Sequence, residues 1–160
     1  MPPRKGTDMA CGAFCGKWIW LRKQKAFQRR PLRIIWRFLI WRIHSLFKGS
    51  RTVYFRQWGV NMRLPPQWRG TAKLLYMFRE DYEPELEFLA TYLKPSMVFV
   101  DIGANFGIYS LRAASLLGPS GRVLAFEPAA FAYQVLQENL RLNRYANAIP
   151  IQLALADKAG

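Results

Sequence analysis

Between Met97 and Ser110 the chain reads MVFVDIGANFGIYS, and no other stretch restricts the possible folds as strongly. A short apolar run containing two valines meets an acid, and two glycines four apart follow before a helical pattern begins. A run apolar on both faces suits a central strand of a parallel sheet. Glycines tolerate backbone angles other residues resist and let a ligand come close to the main chain. The helix start beyond them offers free N–H groups and a partial positive charge. Strand, turn and helix together form a site of the kind that holds a nucleotide-like ligand.

The residues after this stretch continue the alternation. A helix is predicted from about Phe106 to Leu117, stopped by Gly118-Pro119, and a second strand over Val123 to Glu127. A second helix follows from about Pro128 to Asn143, then a third strand over about Ile149 to Ala154. Upstream, Glu80 to Leu93 reads as one helix behind an acidic first turn. This β-α-β-α-β order predicts an α/β fold with a parallel, doubly wound sheet. In such sheets the ligand sits at the carboxyl ends of the strands. Glu127 ends the second strand 20 residues after Gly107. A carboxylate there can accept both hydroxyl hydrogens of a ribose.

The turn Asp101-Ile102-Gly103-Ala104-Asn105-Phe106-Gly107 departs from the G-x-G-x-x-G dinucleotide pattern at Asn105 and Ile108. It reads instead D-x-G-x-x-x-G. An acid two residues before the first glycine would repel a pyrophosphate but suits a ligand end bearing an ammonium group. S-adenosylmethionine carries an ammonium, a carboxylate, a sulfonium and a ribose, so one ligand accounts for both Asp101 and Glu127.

Charge divides the chain. Residues 1–60 hold 14 Lys or Arg against one acid, Asp8, and no Asp or Glu occurs between Met9 and Arg79. Residues 61–100 hold 5 against 5, and residues 101–160 hold 5 against 4. The expected division is a basic, aromatic-rich segment over 1–60 and a separate unit over 61–160, with the boundary between Gly49 and Gln67. Eleven of the 16 residues from Leu32 to Phe47 are apolar, but Arg33, Arg37 and Arg42 interrupt them. A span needs roughly 20 mostly apolar residues, so this is not one. No apolar core of a signal peptide follows the charged start either.

A helix is expected to begin at Pro31 and end at Gly49-Ser50. Its wheel groups Arg30, Arg33, Arg37, His44 and Lys48 against Ile35, Phe38, Leu39, Ile43 and Leu46, with Arg42 on the apolar side. Residues 17–56 thus suit an anionic membrane surface. Two further readings stay open: a cap packed on the second unit, and, less favoured, nucleic-acid binding through arginines and aromatics. A cytoplasmic location, peripheral at the membrane, is the corresponding expectation. Cys11 and Cys15 are two thiols that cannot alone complete a tetrahedral metal site, so no metal is expected. His44 is the only histidine, which leaves no histidine-based triad.

VFVDIGANFGIYSLRAASLLGPSGRVLAFEP, followed by VLQENLRLN and LALADKAG, resembles the FkbM family of S-adenosylmethionine-dependent methyltransferases over roughly Glu85 to Gly160. The resemblance implies a Rossmann-like class I methyltransferase sheet and methyl transfer to an oxygen, often a sugar or polyketide hydroxyl. The acceptor is then a small molecule or a glycan. By motif position it places Asp101, Gly103, Ala104, Asn105, Phe106 and Gly107 around the methionine end, Glu127 on the ribose, and Asp157 near the adenine. Asn139 and Asn143 match the pattern too, with helix-end and loop hydrogen bonding as their expected role.

The family's sheet has seven strands in the order 3-2-1-4-5-7-6. The chain is expected to supply strands one to three only, preceded by basic amphipathic helices, as the N-terminal portion of a methyltransferase. Strand one would then form an apolar sheet edge open to association. No general base can be named. Two competing classes are a dehydrogenase-type dinucleotide binder, and a non-enzymatic basic remnant that acts at a membrane or on nucleic acid.

Overall fold

The computed structural model describes residues 19–44, 46, 47, 49–65, 70–83 and 85–157. Cys11, Cys15, Lys48 and the closing Lys158-Ala159-Gly160 lie outside the described residues. Two helices come first, α1 (Lys25–Arg29) and α2 (Pro31–His44), and residues 19–23 are also helical. A hairpin follows, β1 (Arg51–Phe55) with β2 (Val60–Leu64), then α3 (Thr71–Phe78), a 3-10 turn (Arg79–Asp81) and α4 (Glu85–Tyr92). The remainder alternates: β3 (Val98–Ile102), α5 (Ile108–Leu117), β4 (Arg122–Phe126), α6 (Ala130–Leu142) and β5 (Ala148–Ile151).

The second half forms as its pattern predicts. Strands β3, β4 and β5 are parallel neighbours in that order, with Val100 opposite Leu124 and Leu124 opposite Ile149. Consecutive strands stepping in one direction through right-handed crossovers place α5 and α6 on the same face. That face is buried: Val123 and Ala125 are fully enclosed, and Leu111, Leu117, Leu136 and Leu140 pack above them. The opposite face stays open, with Val98, Val100, Ile102 and Ile149 all exposed. Among the described residues β3 is the sheet edge, as expected.

Ends of the elements from Met97 onward lie within three residues of the sequence expectation. The third strand stops at Ile151 rather than Ala154, and α5 starts at Ile108 because Gly107 takes a left-handed conformation, φ 87°. The single helix expected over Glu80 to Leu93 is two pieces. Glu83 precedes Pro84 in sequence, and the residue before a proline is disfavoured from helical angles. Helix α2 ends at His44, short of Gly49.

The hairpin and α3 were not legible in the sequence. Residues Val53, Phe55, Val60, Met62 and Leu64 alternate inward and are buried, which gives the period of two expected of a half-buried strand. Gly59, at φ 66°, closes the four-residue loop over residues 56–59. Phe55 stacks on Trp58 at 5.0 Å between centroids, and the Trp58 indole N–H donates to Glu87 at 3.2 Å. Arg79, itself at φ 58°, lays its guanidinium on the rings of Tyr76 at 4.7 Å and Phe55 at 5.9 Å. Burial, then the neighbouring Arg37, pulls its pKa down to about 10.

The hairpin joins the two halves of the chain. Its inward side chains lie in the same core as Leu111, Leu117, Leu136 and Leu140. A line drawn between residues 60 and 61 therefore passes through the hairpin, because pairing and burial tie β1 to β2 across it. Helix α2 turns inward residues that its wheel did not single out. Ile34 and Trp41 are buried, Trp41 against Tyr76, and Arg37 donates to the Met77 carbonyl at 3.0 Å. Ile35, Phe38, Leu39, Ile43 and Leu46 are exposed.

Candidate functional site

The carboxyl ends of β3 and β4 bring two acids to one edge of the sheet. Asp101 lies opposite Ala125 in register, and Glu127 follows the last residue of β4. The turn between β3 and α5 folds over the end of β4. Gly103 and Ala104 both donate their N–H to the Phe126 carbonyl, at 2.9 and 2.8 Å. Gly103 and Asn105 take positive φ, 74° and 55°, which bends the chain back on itself. A Cβ added at Gly103 would meet nothing within 4 Å, so the turn faces open space there.

Glu127 is buried and holds this turn. Its Oε2 accepts the Asn105 N–H at 2.8 Å and its Oε1 accepts the Ala129 N–H at 2.9 Å, while its own N–H donates to the Ile151 carbonyl at 3.0 Å. Two oxygens offer about four acceptor positions, so about two remain for a ligand. Asp101 Oδ2 accepts the Ser110 hydroxyl at 2.5 Å. Ser110, fully buried on the first turn of α5, closes the motif DIGANFGIYS, yet nothing in its residue type announced that partner.

Burial raises the Asp101 pKa; hydrogen bonds from Ser110 oppose this, and the charge of Glu127 adds to the rise. The folded chain therefore holds the Asp101 proton more tightly than the unfolded chain does. Its contribution to stability is present below the ordinary carboxylate pKa and is lost as pH rises through the raised value. Asp101→Asn is expected to unfold at a higher temperature than the parent at neutral pH, with the difference vanishing in acid. Thermal melts across pH 3 to 8 check this, and equal melting temperatures at pH 7 would contradict it.

The other residues of the turn divide by role. Ala104 and Phe106 are buried in the core, so their main chain rather than their side chains is available to a ligand. Asn105 is exposed. Gly107 supports packing: an added Cβ would lie 2.5 Å from Leu136 Cδ1, and φ there is 87°. Gly107→Ala is expected to cost about 2 kcal/mol, combining the left-handed penalty with displacement of Leu136. Urea denaturation measures it, and a loss under about 0.5 kcal/mol would contradict the tight contact. Asp157 is exposed beyond β5, outside the hydrogen-bonded cluster. Tyr109 was also unforeseen: burial, a hydrogen bond with Glu83 and surrounding carboxylates push its pKa up.

Asn139 and Asn143, one turn apart on and just after α6, dock the β2 backbone. Asn139 Oδ1 accepts the Arg63 N–H at 2.6 Å, and its amide donates to the Arg63 carbonyl at 3.4 Å and to the Phe106 carbonyl at 2.9 Å. Asn143 Oδ1 accepts the Asn61 N–H at 2.7 Å and its amide donates to the Asn61 carbonyl at 2.6 Å. Side-chain amides here do what a neighbouring strand would do for β2. Through Phe106, Asn139 also ties the hairpin to the turn. An open groove of about 810 Å³ beside Trp58, Ser115, Arg122, Tyr145 and Asn147 lies at the opposite, amino ends of β4 and β5. Among the described residues no group of three metal-ligating side chains converges.

No protein-family model matches the chain. The chain is 43% identical over 68 residues to methyltransferase sdnD of Sordaria araneosa, which is 41% of this chain and 26% of that protein. It is 40% identical over 68 residues to 31-O-demethyl-FK506 methyltransferase FkbM of Streptomyces tacrolimicus, 42% of this chain and 25% of the relative. The matched segment thus spans about a quarter of the length of these two relatives. Among solved structures, P. horikoshii TYW2 in complex with MeSAdo superposes with a TM-score of 0.52 at 24% identity, covering 71% of this chain and 39% of that one. The parallel strands and their helices thus have the class I Rossmann-like methyltransferase fold, and in sequence the chain is similar to the FkbM methyltransferases.

Proposed function

We propose that the chain belongs to an S-adenosylmethionine-dependent methyltransferase and forms its cofactor-binding part. The observation that carries this reading is the pair of carboxylates at adjacent strand ends, Asp101 and Glu127, bridged by the turn from Gly103 to Gly107. The donor set fits such a ligand. Asp101 accepts from Ser110 and keeps further acceptor capacity, which suits an ammonium. Glu127 keeps acceptor capacity for two vicinal hydroxyls. The positive-φ turn at Gly103 leaves room beside the main chain.

The cofactor, when bound, supplies a methyl group made electrophilic by its sulfonium. This chain's own residues bind and orient. Ser110 holds the Asp101 carboxylate in place, and Glu127 fixes the turn through the Asn105 and Ala129 N–H groups. Positioning of this kind can account for much of a methyl transfer rate. A hydroxyl acceptor on a small molecule or a glycan, of sugar or polyketide type, is the substrate class favoured by the O-demethyl substrate in the name of the Streptomyces relative. The roles of Gly103, Ala104, Asn105, Phe106, Gly107 and Asp157 belong to this same reading.

The competing reading, a dinucleotide binder, is disfavoured by Asp101 itself, whose charge would face a pyrophosphate. Thermal melts with S-adenosylhomocysteine and with NAD separate the two. S-adenosylhomocysteine is expected to raise the melting temperature and NAD to leave it unchanged. A rise with NAD alone would overturn the proposal.

A further inference from the structure

Helix α2 is held on the fold by one face, through Ile34, Trp41 and Arg37. Its opposite face carries Leu32, Trp36, Leu39 and Ile43, spaced four, three and four apart, so they form one stripe along the helix. These side chains are exposed by 81%, 64%, 48% and 57%. Leu46 and Phe47, in the turn after the helix, extend it and are also exposed. A helical wheel places Arg33 on one flank of the stripe and Arg42 on the other, and Arg29 and Arg30 lie exposed at its start. No acid lies between Met9 and Arg79, so that part of the sequence carries basic charge only.

Three occupants could cover such a stripe, and the chemistry favours one. A second copy of the chain would bring two arginine-flanked stripes together without a single carboxylate to pair with them. A single-stranded nucleic acid would need ring faces for its bases along the line of contact. The four stripe positions within the helix are aliphatic apart from Trp36, with Phe47 a second ring in the turn beyond. A bilayer with anionic lipids suits both parts, since its acyl boundary takes the apolar stripe and its headgroups take the flanking arginines. Among the described residues no helix is long and apolar enough to cross a membrane, so contact would be in the interface plane.

We propose that the outward stripe Leu32–Trp36–Leu39–Ile43 lies in the surface of an anionic membrane. The proposal is independent of the ligand assigned to the turn from Gly103 to Gly107. Co-flotation of the full chain with vesicles tests it. Binding to phosphatidylcholine vesicles containing phosphatidylserine is expected, weakening in high salt, with markedly less binding to pure phosphatidylcholine. Trp36→Ser/Leu39→Ser is expected to bind the anionic vesicles at least about tenfold more weakly with an unchanged melting temperature, since both side chains are outside the core. Leu32→Ser/Ile43→Ser serves as the second variant and is expected to behave alike. Equal binding by parent and both variants would overturn the proposal. So would indifference to lipid charge, binding to single-stranded RNA without binding to vesicles, or a dimer that the variants dissolve while vesicles stay unbound.

Discussion

Asn139→Ala is expected to lower the unfolding free energy by about 3 kcal/mol, the largest stability loss of any single polar substitution in this chain. The side chain is fully buried and serves three main-chain groups: the Arg63 N–H, the Arg63 carbonyl and the Phe106 carbonyl. Removing it leaves those groups enclosed without partners, and each orphaned group costs about 1–3 kcal/mol. Alanine is too short to reach any of them. Asn143→Ala is expected to cost less, about 1 kcal/mol, because its site is partly open and water can replace the amide. The two effects should not add, since the Asn143 amide also donates to the Asn139 carbonyl at 2.7 Å. The Arg63–Glu138 ion pair beside them is half exposed and contributes little. Urea denaturation of the two single variants and the double variant measures all three values. A loss below about 0.5 kcal/mol for Asn139→Ala would mean the hairpin is not anchored through this side chain.

Glu127→Ala is expected to weaken S-adenosylhomocysteine binding by about 100-fold, the size expected when two hydrogen bonds to a charged acceptor are lost. The carboxylate has two duties. It accepts the Asn105 and Ala129 N–H groups, and in the proposed function its remaining acceptor positions take a ribose. Glu127→Gln should be nearly as weak a binder. An amide presents its NH2 group to one of two backbone N–H donors, and two donors cannot pair. Comparing the melting temperatures of the two variants with their affinities separates loss of the turn from loss of the ligand contact. Tight binding by Glu127→Gln would show that the carboxylate charge is dispensable.

The alternation of strands and helices from Met97 onward was readable because each element there satisfies its own local rule. Val98 and Val100 give β3 its apolar run, Gly103 and Gly107 take the positive φ that the turn requires, and Gly118 ends α5 at φ 62°. Asp101 and Glu127 were legible for the same reason, since strand register alone carries both to one sheet edge. The hairpin was hidden because its alternating apolar set, Val53, Phe55, Val60, Met62 and Leu64, is interleaved with Arg51, Arg56 and Arg63 and reads as more of the basic front. The inward face of α2 was not legible for a related reason. A helix apolar on two sides gives no single periodicity, and only contact with Tyr76, Met77 and Phe78 decides that Ile34 and Trp41 go inside. Asn139 was singled out for hydrogen bonding, but its partners Arg63 and Phe106, like the Asp101 partner of Ser110, become neighbours only after folding.

Titration calorimetry of S-adenosylhomocysteine into residues 1–160, run in parallel with Glu127→Ala, shows whether the two carboxylates and their turn hold this ligand. Saturable binding at one site per chain is expected, weakened by about 100-fold in the variant. A folded chain that takes up no S-adenosylhomocysteine, or one whose affinity is the same with and without the Glu127 carboxylate, would contradict that expectation.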